Sequence, residues 1–249
     1  MSELAGRMDA ERDFAKRLSR LTARQRRELR EKLGTPPDVS RITAADWQRW
    51  EDERRQELTL IILAIILASY RQHVAELVPG GTAPEGIEAD VYRGALAKAG
   101  SLASESAAST MATARDIVTS SGEIIRTGTA ADIDGVLVSA LGPGRDSTTA
   151  ITVTTQAQTE GANQSAIPLL AAGMNLVTRW YTQNDNDVCG ICDPLHGKSV
   201  DLWGPVLENA LGPGGTRAIE SIVDNGGPPA HPRCRCWLET KAEPRPAWS

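Results

Sequence analysis

Apolar positions divide the chain into long helical stripes followed by a short, irregular end. Phe14, Leu18, Leu21, Leu29 and Leu33 fall on one face of a highly charged stretch, which predicts a helix over residues 7–33. Gly34 and the Pro36-Pro37 pair stop it. Thr43 and Asp46 supply an N-cap for a second long helix, ending near Val78 before Pro79-Gly80-Gly81. Trp47 and Trp50 mark its start, and an unbroken apolar run, LTLIILAIILA from Leu58 to Ala68, fills its second half.

That run has about eleven residues where a membrane span needs roughly twenty. Arg54, Arg55, Glu57 and Arg71 flank it. The expectation is a helix buried in a core or interface of a soluble protein, with no membrane span. His73, near the helix's C-terminal end where the dipole favours a cation, is expected at the surface.

Residues 87–121 are small, Ala-rich and helix-compatible. A further short helix is expected over 132–141, closed by Gly142-Pro143-Gly144, and another over 147–172. The start of the last, TTAITVTT, is β-branched enough to allow a strand instead. Residues 175–183 have strand propensity, and the NDND that follows reads as a turn. A Gly/Pro-rich loop spans 204–229, with a short helix placed near 217–223, and HPRCRCWLE reads as a loop entering a short strand.

The fold class expected is mainly α with a small α+β C-terminal subdomain. Long N-terminal helices precede further helices and a short β-hairpin-like unit clipped by a zinc knuckle. The corresponding division is an N-terminal helical arm (1–84), a helical part (85–174), a metal-clipped β subdomain (175–240) and a mobile tail (241–249).

With one Phe and three Tyr in 249 residues, the core must be aliphatic, which suits closely packed helices. A net charge of −5 gives no global pull toward nucleic acid, so any DNA contact has to be local. Between Arg20 and Lys32 six basic residues face two acidic ones. This reads first as solvated helix surface and second as a patch for DNA or an acidic partner. The first thirty residues are charged throughout and show no apolar segment of a secretory leader.

All four cysteines lie in the last quarter, in two tight pairs. Cys189-Gly190-Ile191-Cys192 has metal-knuckle spacing, and His231-Pro232-Arg233-Cys234-Arg235-Cys236 adds three donors some forty residues later. A tetrahedral site needs four ligands and five are offered. Either His231 joins Cys189, Cys192 and Cys234 with Cys236 left over, or Cys234 and Cys236 both bind and complete a four-thiolate site. In a flat strand residues two apart stand roughly 6.5–7 Å from each other, so the second set needs a kink.

Soft donors favour zinc. With so many donors the site is expected to be closed and structural, and the protein not an enzyme. Asp185, Asp187 and Asp193 are near in sequence, but no H-E-x-x-H and no P-loop is present. His196 is a possible substitute ligand. Simple packing of reduced thiols and disulfide formation are the plainer alternatives. Residues 188–237 are poor in large apolar side chains, so metal binding, on the order of 10 kcal/mol in small zinc peptides, would supply the folding free energy. It would pin the 193–233 loop and hold the final strand beside the one before Cys189.

The ordered set of motifs resembles the phage Mu protein F-like, or head-morphogenesis, family of minor capsid proteins. Its pattern is matched by Thr159-Glu160 with Asn163, then Trp180-Tyr181-Thr182, Cys189 and Cys192, and Leu195-His196-Gly197. Pro228, Pro229, His231, Pro232, Cys234, Arg235 and Cys236 complete it. The match runs from roughly residue 110 to 240, and Gln158 stands where the family commonly has Arg.

The resemblance implies a low-copy minor head protein of a tailed bacteriophage, associated with the portal vertex and involved in head assembly, DNA packaging and DNA ejection. It would locate in the virion, in the capsid interior or at the portal vertex, and in the host cytoplasm during assembly. Its partners would be the portal protein and a major capsid or scaffold protein, with packaged DNA touched locally through the N-terminal basic helix. Glu160 and Asn163 are expected to be a buried polar pair bracing their helix against the metal subdomain. Two other functions compete: a metal-dependent nuclease or other phage enzyme, and a zinc-ribbon DNA-binding module using Arg217, Arg233 and Arg235.

Overall fold

The computed structural model describes residues 2–78, 87–183, 188–203, 206, 220, 222–224 and 226–243. About three quarters of the described residues are helical, and among them is one small antiparallel sheet near the C-terminus. The helices are α1 (Ser2–Leu33), α2 (Ala44–Leu77), α3 (Ile87–Ser120), α4 (Gly122–Thr127), α5 (Ala130–Ala140) and α6 (Pro143–Ala171). Two strands follow, β1 (Leu176–Tyr181) and β2 (Trp237–Ala242). The expected mainly α class with a small two-stranded unit at the C-terminus is what is found, with a Cys/His cluster beside the sheet. The NDND turn, the Pro79-Gly80-Gly81 stop, most of the 204–229 loop and the tail from 244 lie outside the described residues.

The chain forms two compact units, residues 1–61 with 100–150, and residues 62–99 with 151–249. In the first unit, local caps set the helix boundaries. Gly34, at φ 71°, ends α1. Thr43 and Asp46 form a reciprocal box, Thr43 N–H to Asp46 Oδ2 at 3.0 Å and Asp46 N–H to Thr43 Oγ1 at 3.2 Å. Lys32 and the Thr43 donors hold the Asp46 carboxyl far below the usual carboxylate range. Thr129 and Asp132 repeat the box at α5. The six-residue α4 escaped the sequence reading because so short a helix shows no period; its Ile125 is fully buried.

The core of this unit gathers Leu29, Leu33, Trp47, Trp50, Met111, Val118, Ile125 and Leu137. Most of the basic stretch of α1 is spent internally. Arg24 pairs with Glu53, Arg26 donates to the Leu141 carbonyl, Arg30 pairs with Asp134, and Lys32 with Asp46. Arg54 is buried, donating to Thr22 Oγ1 at 2.6 Å and facing Asp146 at 3.7 Å, while Thr22 donates to Asp146 at 2.8 Å.

In the second unit, Ile62, Ile66, Ser69 and His73 share one buried stripe of α2. His73 is therefore in the core and not at the surface, because its position continues that stripe at i, i+4, i+7 and i+11. Its Nδ1 donates to the Ser69 carbonyl at 2.8 Å. By length and composition α2 could cross a membrane, but half of its apolar window is buried inside the protein. Gly161 lets α6 approach this stripe: a Cβ there would lie 2.6 Å from the Ile66 carbonyl oxygen and 2.5 Å from Ser69 Cβ.

The strands pair with Trp180 opposite Leu238 and Tyr181 opposite Trp237. Trp180, Leu238 and Thr240 are buried on one face, whereas Tyr181 stacks on Trp237 on the other. The far edge of β1 is engaged by Gly197 N–H to the Trp180 carbonyl and Trp180 N–H to the Lys198 carbonyl. Beneath the inward face a small core forms from Trp180, Leu195, Trp203, Ile222 and Leu238, joined by Ala162 of α6.

Candidate metal centre

Two chain segments converge on that core. At 189–192 the backbone folds back on itself, with the N–H groups of Cys192 and Asp193 both donating to the Cys189 carbonyl at 3.0 Å. This turn brings both sulfurs to one side. At 231–234 a second turn closes with Cys234 N–H on the His231 carbonyl, and Arg233 takes a left-handed φ of 64°.

All five sequence-predicted donors meet. Cys189, Cys192 and His231 form one group whose ligand atoms lie within 4.8 Å of one another, and Cys192, Cys234 and Cys236 form another. Cys192 belongs to both. His231 Nε2 stands 3.0 Å from Cys189 Sγ and 3.4 Å from Cys192 Sγ, and Cys192 Sγ stands 3.8 Å from Cys234 Sγ. All four cysteines are reduced; Cys192, Cys234 and Cys236 are buried and Cys189 half-buried.

The ring of His231 is oriented for ligation. Its Nδ1 donates to the Pro232 carbonyl at 2.8 Å, which turns Nε2 toward the sulfurs. Within the cluster one thiol is the acid. Hydrogen bonds from Cys192 and then Cys236 depress the Cys234 thiol strongly. Hydrogen bonds with Cys234 and then Cys236, together with burial, push Cys192 up. Cys236 also rises, the lowering effect of Cys192 being outweighed by Cys234 and burial. His231 is raised to about 9, chiefly by its hydrogen bond with Cys234. A cation entering this cluster must displace those protons, so its affinity rises with pH.

Helix α6 holds the second segment by a ladder of polar side chains. Thr155 Oγ1 donates to the Cys234 carbonyl at 2.6 Å, and Thr159 Oγ1 to the Pro228 carbonyl at 2.7 Å. Asn163 Nδ2 donates to the Gly226 carbonyl at 3.2 Å, and Arg233 N–H to Thr152 Oγ1 at 2.9 Å. Positions 152, 155, 159 and 163 lie on one helical face. The loop passes so close that a Cβ on Gly227 would sit 3.1 Å from Thr159 Cγ2 and 3.0 Å from Leu238 Cδ1.

Thr152 and Thr155 were not singled out in the sequence; their only signal was hydroxyls recurring at helical spacing. The bracing expected of Glu160 with Asn163 belongs to Thr159 and Asn163. Glu160 instead accepts from Gln164 one turn away at 2.7 Å.

His196 does not join the donors. Its Nδ1 accepts from the Thr182 N–H at 3.3 Å and lies 2.9 Å from Thr182 Oγ1, and its ring meets Tyr181 edge-on. Asp193 is exposed and outside both groups, while Asp185, Asp187 and Arg217 fall outside the described residues. The arrangement can hold a soft or borderline metal ion. Searches of family models, curated proteins and solved structures find no match to this chain.

Proposed function

We propose that the cluster is a closed structural zinc site, and that the chain is a minor head protein of a tailed bacteriophage. The metal reading is carried by one observation: four thiol and one imidazole donors from segments about forty residues apart meet around Cys192. Tetrahedral zinc with bonds of about 2.3 Å to sulfur and 2.0–2.1 Å to nitrogen gives ligand edges of about 3.8 Å (S···S) and 3.5 Å (S···N). The Cys192–Cys234 distance of 3.8 Å and the Cys192–His231 distance of 3.4 Å are near those edges, and the Cys189–His231 distance of 3.0 Å is shorter. Cys234 lies in the second donor group, so the four close into a tetrahedron only as the ion binds. We assign Cys189, Cys192, His231 and Cys234 as ligands and Cys236 as the spare thiol. Four protein ligands leave no position for a substrate, so on this reading the zinc acts as a brace with no catalytic part, and we take the protein to be a structural component rather than an enzyme.

The phage assignment is supported by the motif order and by the way its parts serve a single local structure. Thr159 and Asn163 hold the Gly226–Pro228 segment, which delivers His231 and Cys234 to Cys189 and Cys192. On this reading the protein sits at the portal vertex or inside the capsid, reaching it from the host cytoplasm during assembly. There it contacts the portal protein and a major capsid or scaffold protein, and acts in head assembly, DNA packaging and ejection.

The test has two independent parts. Metal analysis of the purified chain should give about one zinc per molecule, four ligands serving one ion. Immunoblotting of purified virions, with pull-down on purified portal protein, should find the chain in both. Absence from virions together with no portal binding would falsify the head-protein reading whatever the metal content.

A further inference from the structure

The two donor groups overlap at a single atom. Cys189, Cys192 and His231 form one triad and Cys192, Cys234 and Cys236 the other, so the Cys192 sulfur is common to both. A tetrahedral ion uses four of the five donors and leaves Cys236 idle. We propose that the same cluster also takes a pair of cuprous ions, one in each triad, bridged by the Cys192 thiolate.

Donor arithmetic selects the ion. Two tetrahedral ions sharing one donor need seven ligands, whereas two trigonal ions sharing one need five, the number the cluster offers. Cuprous copper is monovalent, has a filled d shell that accepts three ligands, and favours soft thiolates. A thiolate keeps lone pairs enough for two metal bonds, so Cys192 can serve both ions.

Cys236 is held where the pair needs it. In an extended strand residues two apart stand roughly 6.5–7 Å from each other. The sulfurs of Cys234 and Cys236 nevertheless lie within 4.8 Å of one another and of the Cys192 sulfur. The chain achieves this between the left-handed turn at Arg233 and the start of β2 at Trp237. Cys189, Cys192, His231 and Cys236 all line the cleft beside the cluster, so both triads meet it.

Exchange of zinc for copper balances without a redox step. Two Cu+ enter, one Zn2+ and the Cys236 proton leave, and no electron is transferred. The inference rests on the same convergence of donors as the zinc reading and is independent of the virion assignment.

The test is an anaerobic titration of the full zinc-loaded chain with cuprous acetonitrile complex, zinc release and copper uptake being read with chromogenic chelators. The expected result is about two copper ions bound and about one zinc ion released per chain. X-ray absorption of the loaded protein should show a copper–copper vector, the signature of a shared thiolate. Cys236→Ser leaves the four zinc ligands in place; it should bind zinc as the wild type does and take up about one copper ion. Cys189→Ser keeps the other triad whole and should likewise hold about one, whereas Cys192→Ser breaks both and should lose both to the same chelator.

Far-UV circular dichroism checks that each variant keeps its helices; where one does not, the wild-type copper count and the copper–copper vector decide. A wild-type count other than two, a pair without that vector, or two copper ions in a folded Cys236→Ser would each overturn the proposal. A chain that takes the copper pair but never holds zinc defeats the zinc clip and leaves the pair standing. One that holds zinc and refuses the pair defeats only the pair.

Discussion

Replacing the five donors one at a time should rank them by their place in the cluster. Cys192 belongs to both donor groups and is buried, so Cys192→Ser should be the most damaging change. A structural zinc contributes on the order of 10 kcal/mol, and one ligand in four carries roughly a quarter of it, ~2.5 kcal/mol. At 1.4 kcal/mol per decade that is ~60-fold in zinc affinity. Cys189→Ser, His231→Gln and Cys234→Ser should fall near this value, and Cys192→Ser at or above it. Cys236→Ser, which removes the spare thiol, should change affinity by less than about threefold, under ~0.7 kcal/mol. Competition against a chromogenic chelator at fixed pH measures all five. If Cys236→Ser loses as much as Cys192→Ser while His231→Gln loses nothing, the ligands are four thiolates and the assignment of His231 is wrong. If none of the five changes metal affinity, the geometric reasoning as a whole fails.

Two further changes probe the packing that carries the site. Gly161→Ala puts a methyl group 2.6 Å from the Ile66 carbonyl oxygen, which backbone cannot easily vacate; thermal melts should show a loss of about 1–3 kcal/mol, and unchanged stability would mean that the helices separate freely. Arg54→Met strands Asp146 among buried groups and should cost about 3–5 kcal/mol, whereas Arg54→Met with Asp146→Leu should recover most of it; additive losses in that cycle would refute a coupled buried pair.

The helices were legible because their signals are local. The stripe of α1, the Thr43–Asp46 box and the Gly34 stop all act within a few residues of where they are written. The strand pair and the convergence of five donors were legible from spacing, since two tight thiol pairs have few other uses. What stayed hidden depended on distant partners. The β-branched start of α6 reads as strand or helix until its Thr155 hydroxyl meets a carbonyl 79 residues away. Helix-end electrostatics alone puts His73 at the surface, whereas the buried stripe it continues puts it in the core. The choice among five ligands is illegible for a related reason: the segment that presents His231, Cys234 and Cys236 takes its path from α6, a partner that spacing does not name.

This division of labour explains why a Gly- and Pro-rich segment needs both devices. Each of the four α6 contacts to residues 226–234 is a hydrogen bond of ordinary net worth, about 0.5–1.5 kcal/mol, so the ladder contributes a few kcal/mol together. That sum is smaller than the contribution of a structural zinc, yet it has directional content that an ion lacks. A metal centre draws four ligands together but does not say which way the chain must run between them. The ladder fixes the position and direction of residues 226–234 on α6, and the 189–192 turn then has one place to meet them. On the proposed zinc reading the metal would supply most of the free energy and the helix the address. A change to the hydroxyl face therefore alters where the second segment docks before it alters how tightly an ion is held.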